Sequence, residues 1–307
     1  MDNFWKGKRV LVTGGFGFLG SQVVERLDVE EAKCQIAGRG SDGGGDYDVI
    51  VHCAGKVGGM LENKEKPAEF IYDNLKAGLD YINRARDCKA KFINISSSCT
   101  YPGHVWSKLH PDNLWGGYPA KENGPYGIAK RAIIEVVRAY REQYGLQAYS
   151  LVFPNLYGPG MNTDPKTSHV IGGLIRKMAE AKDGDVKELN MMGDGSAIRE
   201  FLYVDDAVDA IIELGAQKQD SVVNVGPGTG VTIKYLAETI QTLIGYEGAL
   251  IWGKGSDNGQ KEKVMVPSTT FKPKTSLIRG LKETIDRHVH ATNESGAKRS
   301  HREAVAQ

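Results

Sequence analysis

Residues 9–20 read RVLVTGGFGFLG. The run from Arg9 to Thr13 is short, apolar and β-branched, and an amphipathic stretch from Ser21 to Leu27 follows the glycines. This order predicts strand, tight turn and helix. Gly14, Gly17 and Gly20 fall in the turn. Glycine lets main-chain N–H groups approach a pyrophosphate closely, and the following helix N-terminus adds partial positive charge. With Phe18 and Leu19 at the helix start, these residues form the expected dinucleotide-binding turn. The alternative is a turn that needs glycine only for positive φ.

The same alternation continues outward. CQIAG at 34–38, DVIVHCAG at 48–55, KFINISS at 91–97 and AYSLVF at 148–153 read as strands, with helical stretches near 67–87 and 125–144. Continuous apolar strands alternating with helices predict an α/β fold, a Rossmann-type doubly wound parallel sheet covered on both faces. Past residue 154 the rhythm loosens into PNLYGPG, a helix at 169–182 and shorter elements, which predicts a smaller C-terminal substrate-binding lobe. The expected division is 1–154, with a segment near 196–225 returning to it, for the dinucleotide; 155–287 for the substrate; and a polar tail at 288–307. Only GRGSDGGGDY, 38–47, separates the second strand from the third. That is too short for the usual helix and further strand, so the strand is expected to be missing. About a dozen residues at roughly 3.3 Å each still reach across a neighbouring strand.

Bulk properties narrow the function. The 307 residues carry a formal charge of +1, which gives no global attraction for nucleic acid or an anionic membrane. Any anion must be held locally. The four cysteines form no CxxC pair, the start MDNFWKGKRVLV lacks an apolar targeting run, and no apolar stretch approaches a bilayer span. A cytoplasmic protein without a metal site is expected. At the end of the second strand, Ala37-Gly38-Arg39 carries no acid for a ribose 2′-OH, and Arg39 suits a 2′-phosphate, so NADP(H) is favoured over NAD. The alternative for Arg39 is a solvated loop charge.

Tyr126 and Lys130 occur as YGIAK, and i, i+4 spacing places both on one helix face. An ammonium beside a phenol favours phenolate, so Lys130 is expected to tune Tyr126 as acid–base. ISSSCTYP follows a strand and supplies hydroxyls that can stabilise charge on a substrate carbonyl, with Ser97 the preferred one. Open parallel sheets bind ligands outside the carboxyl ends of their strands, where these features meet.

TGGFGFLG, ISSSCTYP and YGIAK in this order resemble the extended short-chain dehydrogenase/reductases, over roughly residues 8 to 285. More narrowly, HCAGKVGGM at 52–60, SSSCTYP at 96–102, PNLYGPG at 154–160, SHVIGGLIRK at 168–177 and IREFLYVDDA at 198–207 resemble the GDP-L-fucose synthases. The resemblance implies an NADPH-dependent 3,5-epimerase and 4-reductase acting on GDP-4-keto-6-deoxy-mannose, or on a related GDP-4-keto sugar such as a heptose. It implies reduction by Ser97, Tyr126 and Lys130, and epimerisation by a Cys99 base and a His169 acid. A 4-keto group acidifies the C3 and C5 protons, and a thiolate and an imidazole move protons near neutral pH.

The resemblance further implies that Asn155 anchors the substrate, and that Arg199, with Arg176 or Lys177, contacts the diphosphate. It also implies that Lys263 lies toward the guanosine end and that helices near 67–87 and 125–144 pair in a homodimer. The alternative for Arg199 and Lys263 is a surface salt bridge. Sugar-nucleotide dehydratases resemble Thr-Asp-Glu where this chain has Ser97, Ser98 and Cys99, so their eliminating carboxyls are absent. The family's PDGTPRK-like run reads SDNGQKEK here, at 256–263. Two other readings stay open: an NAD-retaining nucleotide-sugar epimerase, and a non-catalytic dinucleotide-binding protein. The set Ser97, Cys99, Tyr126, Lys130 and His169 argues against the second.

Overall fold

The computed structural model describes residues 3–38, 44–104, 108–164, 167–253 and 259–288. In the first half, β1 is Arg9–Thr13, α1 Phe18–Val29, β2 Lys33–Ala37, β3 Val49–His52, α2 Met60–Glu65, α3 Pro67–Cys88, β4 Lys91–Ser97, α4 Gly124–Tyr144 and β5 Ala148–Phe153. The second half contributes β6 Asn155–Tyr157, α5 Val170–Asp183, β7 Glu188–Met191, β8 Ile198–Arg199, β9 Phe201–Tyr203, α6 Val204–Ala216 and β10 Val222–Asn224. It continues with β11 Val231–Thr232, α7 Ile233–Ile244, β12 Ala249–Trp252 and β13 Glu262–Lys263. The chain is helical again at 277–288.

A six-stranded sheet in the order β10-β5-β4-β3-β1-β2 forms the centre, with every pair parallel. Alternation sorts its side chains by face. Val10, Val12, Val49, Val51, Ile93 and Leu151 pack with residues of α1 and α6, whereas Leu11, Ile50, Phe92 and Ala148 pack with α3 and α4. Buried on both faces, these strands need the continuous apolar runs the sequence shows. β2 and β3 flank β1 on opposite sides, so the connection at 38–48 crosses that strand. Among the described residues no strand lies beyond β2. Arg39, the proposed 2′-phosphate partner, lies outside the described residues, as does the tail from 289.

α3 starts with proline in its first turn and buries Phe70, Asn74, Gly78, Tyr81, Ile82 and Ala85. A Cβ at Gly78 would stand 2.5 Å from Ile133, so glycine there lets α3 and α4 approach closely. A second core holds the C-terminal lobe, with Ile175 and Met178 of α5, Leu236 and Ile240 of α7, Tyr203, and Leu281 of the last helical run. β10 and α6 nonetheless belong with the main sheet: β10 pairs with β5, and Arg26 of α1 forms an ion pair with Asp209 of α6. No helix among the described residues is long and apolar enough to cross a membrane, and no group of three or more His, Cys, Asp or Glu there could hold a metal.

His52 ends β3 beneath α3, fully buried, with Nδ1 2.8 Å from Thr13 Oγ1 and its ring stacked on Phe92. Burial, helped by the Lys130 charge, pushes its pKa down to about 3 from 6.5. The unfolded chain therefore binds the extra proton first. The stability of the neutral imidazole is whole above pH 6.5 and drains as pH falls toward about 3, by about 1.4 kcal/mol per pH unit. Thermal unfolding scans across that window should show a steeper decline for the wild type than for His52→Gln.

Candidate functional site

Gly14 closes the first turn with φ +68°, and its carbonyl accepts the Gly17 N–H at 2.9 Å. A Cβ at Gly14 would lie 2.9 Å from the Ala54 backbone, and one at Gly20 would lie 2.2 Å from the Gly14 carbonyl oxygen. Both positions therefore require glycine. Gly17 caps α1 without a side chain, which leaves the first-turn N–H groups of Phe18 and Leu19 available to an anion. Leu19 packs on the core below. This cradle fits the diphosphate of a dinucleotide.

The candidate reacting groups collect near the carboxyl end of β4. β4 ends in Ser97 and runs into a 3-10 turn, Ser98–Thr100, where Ser97 Oγ accepts the Cys99 N–H at 3.2 Å. Ser96 and Ser98 face inward, so Ser97 and Cys99 are the half-buried members of the run. α4 then crosses closely: a Cβ at Gly127 would sit 2.5 Å from the Cys99 carbonyl oxygen, and Arg131 Nε donates to the Thr100 carbonyl at 2.7 Å. That approach brings Tyr126 near Ser97 and Cys99, both of which act on its phenol. The Tyr126 ring meets Phe70 edge-on at 6.3 Å.

Burial holds Tyr126 above the usual phenol range; the Cys99 charge adds to this, and the Ser97 hydrogen bond opposes it. Lys130 is buried, and its ammonium donates to the Ile95 carbonyl at 3.1 Å. Burial pushes it down to about 8, against the Cys53 charge. Lys130 therefore shares a helix face with Tyr126 as expected, but its partner is Ile95, and the groups acting on the phenol are Cys99 and Ser97. Asn74 stands beside Lys130: a Cβ at Gly55 would be 2.6 Å from Asn74 Oδ1 and 3.2 Å from Lys130 Nζ.

Cys99 is the electrostatic centre. Burial acts to raise its thiol, yet the Lys263 charge and hydrogen bonds from Ser97, Lys263 and Asn123 outweigh burial and hold it below its ordinary value. Lys263 Nζ lies 3.3 Å from Sγ. Lys263, expected toward the guanosine end, thus stands at the thiol. β13 pairs in parallel with β8, placing Lys263 opposite Arg199, and that register brings the ammonium to the thiol. Arg199 is itself coupled to the Cys99 charge and to Glu122, while burial, the larger influence, lowers its pKa.

The other expected residues are more dispersed. Asn155 Nδ2 is committed to the Glu200 carbonyl at 2.8 Å. Arg176 pairs with Glu180 at 2.7 Å, and Lys177 donates to the Asn190 carbonyl. α5 buries Ile171, Leu174, Ile175 and Met178, which leaves Arg176 half-buried and Lys177 exposed on its flank. His169 precedes α5 as an exposed residue whose imidazole is partly desolvated by the surrounding protein, which lowers its pKa. Its segment is tied to the loop before α2 by the Gly59 N–H on Thr167 O at 3.0 Å. Among the described residues, no hydrogen bond joins His169 to the cluster. Sequence reasoning missed Asn74 and Asn123. NGPYGIAK carries Asn123 three residues before Tyr126, a readable signal, whereas Asn74 has no local one.

Residues 43–226 match the NAD dependent epimerase/dehydratase family. The chain is 39% identical over 242 residues to a probable GDP-L-fucose synthase 1 of Oryza sativa subsp. japonica, covering 76% of this chain and 74% of that one. It is 33% identical over 301 residues to the GDP-L-fucose synthase of Sinorhizobium fredii, covering 92% and 96%. A solved GDP-L-fucose synthetase from Naegleria fowleri bound to NADP shares the fold with a TM-score of 0.81, at 24% identity over 93% of this chain and 94% of that one.

Proposed function

The chain belongs to the NAD dependent epimerase/dehydratase family, and within it we propose an NADPH-dependent enzyme that epimerises C3 and C5 of GDP-4-keto-6-deoxy-D-mannose, or of a close GDP-4-keto sugar, and reduces C4. The observation that carries this is a thiol with an ammonium 3.3 Å away, beside a protonated phenol, at the strand ends of a dinucleotide fold. A simple hydride-transfer site needs no such thiol. The relatives named GDP-L-fucose synthases support the same reading.

The keto oxygen polarises its neighbouring C–H bonds, and Cys99, held toward thiolate by Lys263, takes a proton from the adjacent carbon. His169 returns a proton on the opposite face, completing the inversion. Tyr126 stays protonated because burial raises it, so it gives its proton to O4, with Ser97 sharing the hydrogen bond. NADPH, when bound on Gly14, Gly17, Phe18, Leu19 and Gly20, supplies the reducing equivalent. Asn155 and Arg199 orient the nucleotide sugar.

The test is loss of NADPH absorbance with freshly generated GDP-4-keto-6-deoxy-mannose, followed by product analysis. Formation of GDP-L-fucose supports the reading; NADPH binding with no oxidation rejects this sugar. Gly20→Ala is expected to weaken NADPH binding at least tenfold, about 1.4 kcal/mol, because its Cβ must push the Gly14 carbonyl out of the turn. Fluorescence titration of NADPH checks it. The working unit is a homodimer joined through α3 and α4, where Tyr72 is 64% and Leu79 39% exposed. Light scattering at micromolar concentration should give twice the chain mass.

A further inference from the structure

Where the chain leaves β8 for β9, Glu200 is 0% exposed. Its backbone carbonyl accepts both the N–H and Nδ2 of Asn155, at 3.3 and 2.8 Å. Its carboxylate bridges two other segments: Oε1 accepts the Gly228 N–H at 2.7 Å, and Oε2 the Met265 N–H at 2.8 Å. Burial pushes the Glu200 carboxyl up to about 7, against the two backbone N–H groups and the charge of Lys108, whose Nζ donates to the Gly228 carbonyl at 2.9 Å. A buried carboxylate is costly unless its oxygens are satisfied, and here backbone N–H groups satisfy both.

Met265 is two residues past Lys263. The same segment is held by Ile198 N–H on the Lys261 carbonyl at 2.9 Å, by Leu109 N–H on the Val264 carbonyl at 2.7 Å, and by Val266 N–H on the Leu109 carbonyl at 2.9 Å. At Met265 the ladder with β8 has ended, because Glu200 has turned its own backbone to Asn155. A carboxylate takes over and continues the register by one more bond. Gly226 confirms how tightly this group is seated: a Cβ there would lie 2.5 Å from Oε1.

We propose that Glu200 is a positioning residue for the epimerising half of the site: its carboxylate fixes the strand that carries Lys263, so that this ammonium and the neighbouring Arg199 reach Cys99 together. The inference rests on the reading of Cys99 as the carbon base. Glutamine has the size of glutamate but offers one accepting oxygen and a donor, so Glu200→Gln sets an N–H against one of the two backbone N–H groups and loosens one segment.

The experiment follows Cys99 alkylation by iodoacetamide as a function of pH, resolved by peptide mass spectrometry, in the full-length wild type and in Lys263→Met, Glu200→Gln and Gly226→Ala. Alkylation reads the thiolate directly and needs no substrate. Lys263→Met and Glu200→Gln should each slow Cys99 alkylation at neutral pH about tenfold, raising the thiol midpoint by about one unit. Gly226→Ala, which displaces the carboxylate without removing it, should shift the midpoint the same way. If Lys263→Met is slow while Glu200→Gln alkylates at the wild-type rate and merely melts earlier, Glu200 is only a brace and the proposal falls. If Lys263→Met also titrates as wild type, the Lys263–Cys99 reading itself fails and takes the proposal with it.

Discussion

Tyr126→Phe lowers kcat for ketone reduction by roughly 10²- to 10⁴-fold, the usual range for losing a placed proton donor. Phenylalanine keeps the edge contact with Phe70 and removes only the hydroxyl. NADPH binding, proposed at the Gly14–Gly20 turn, should survive, and the loss should fall on kcat rather than on KM. The phenol's raised pKa keeps it protonated through the neutral range, so kcat should have no limb there attributable to its ionisation. Exchange of solvent deuterium into C3 and C5 of the substrate should continue in this variant, because Cys99 and Lys263 are untouched. Full-rate NADPH oxidation by Tyr126→Phe would assign the proton donor elsewhere.

Cys99→Ser produces the complementary defect. A serine hydroxyl titrates far above a thiol, and the Lys263 ammonium that holds Cys99 below its ordinary value cannot bring it into the working range. Deuterium incorporation should fall by roughly 10²- to 10⁴-fold. NADPH oxidation should persist at a reduced rate and give a product reduced at C4 with C3 and C5 not inverted. In the wild type, exchange should extend to pH values below the ordinary thiol range, since the thiol's pKa is lowered. Lys263→Met should move that acidic limb upward. Wild-type exchange in Cys99→Ser would show that another group removes the protons.

These two variants separate because the site has two halves with different origins. The reducing half was legible locally: Tyr126 and Lys130 are one helical turn apart, and ISSSCTYP follows an evident strand. Even there, tertiary packing revised one step, since the buried Lys130 ammonium is bound to the Ile95 carbonyl at the end of β4. The proposed epimerising half was legible only in its residue types. Cys99 and Lys263 are separated by 164 residues and meet at 3.3 Å through a two-residue strand pairing that no periodicity announces.

By itself the sequence determined the alternating strands and helices, the glycine turn, and the lack of chain for a strand beyond β2. Each depends on local spacing, on the space a Cβ occupies, or on chain length. Only the tertiary structure decided that Lys263 stands 3.3 Å from the Cys99 thiol. It also decided that Glu200 ties three segments together. Those outcomes depend on where the backbone ladder of β8 stops, which is set by contacts between residues far apart in the chain.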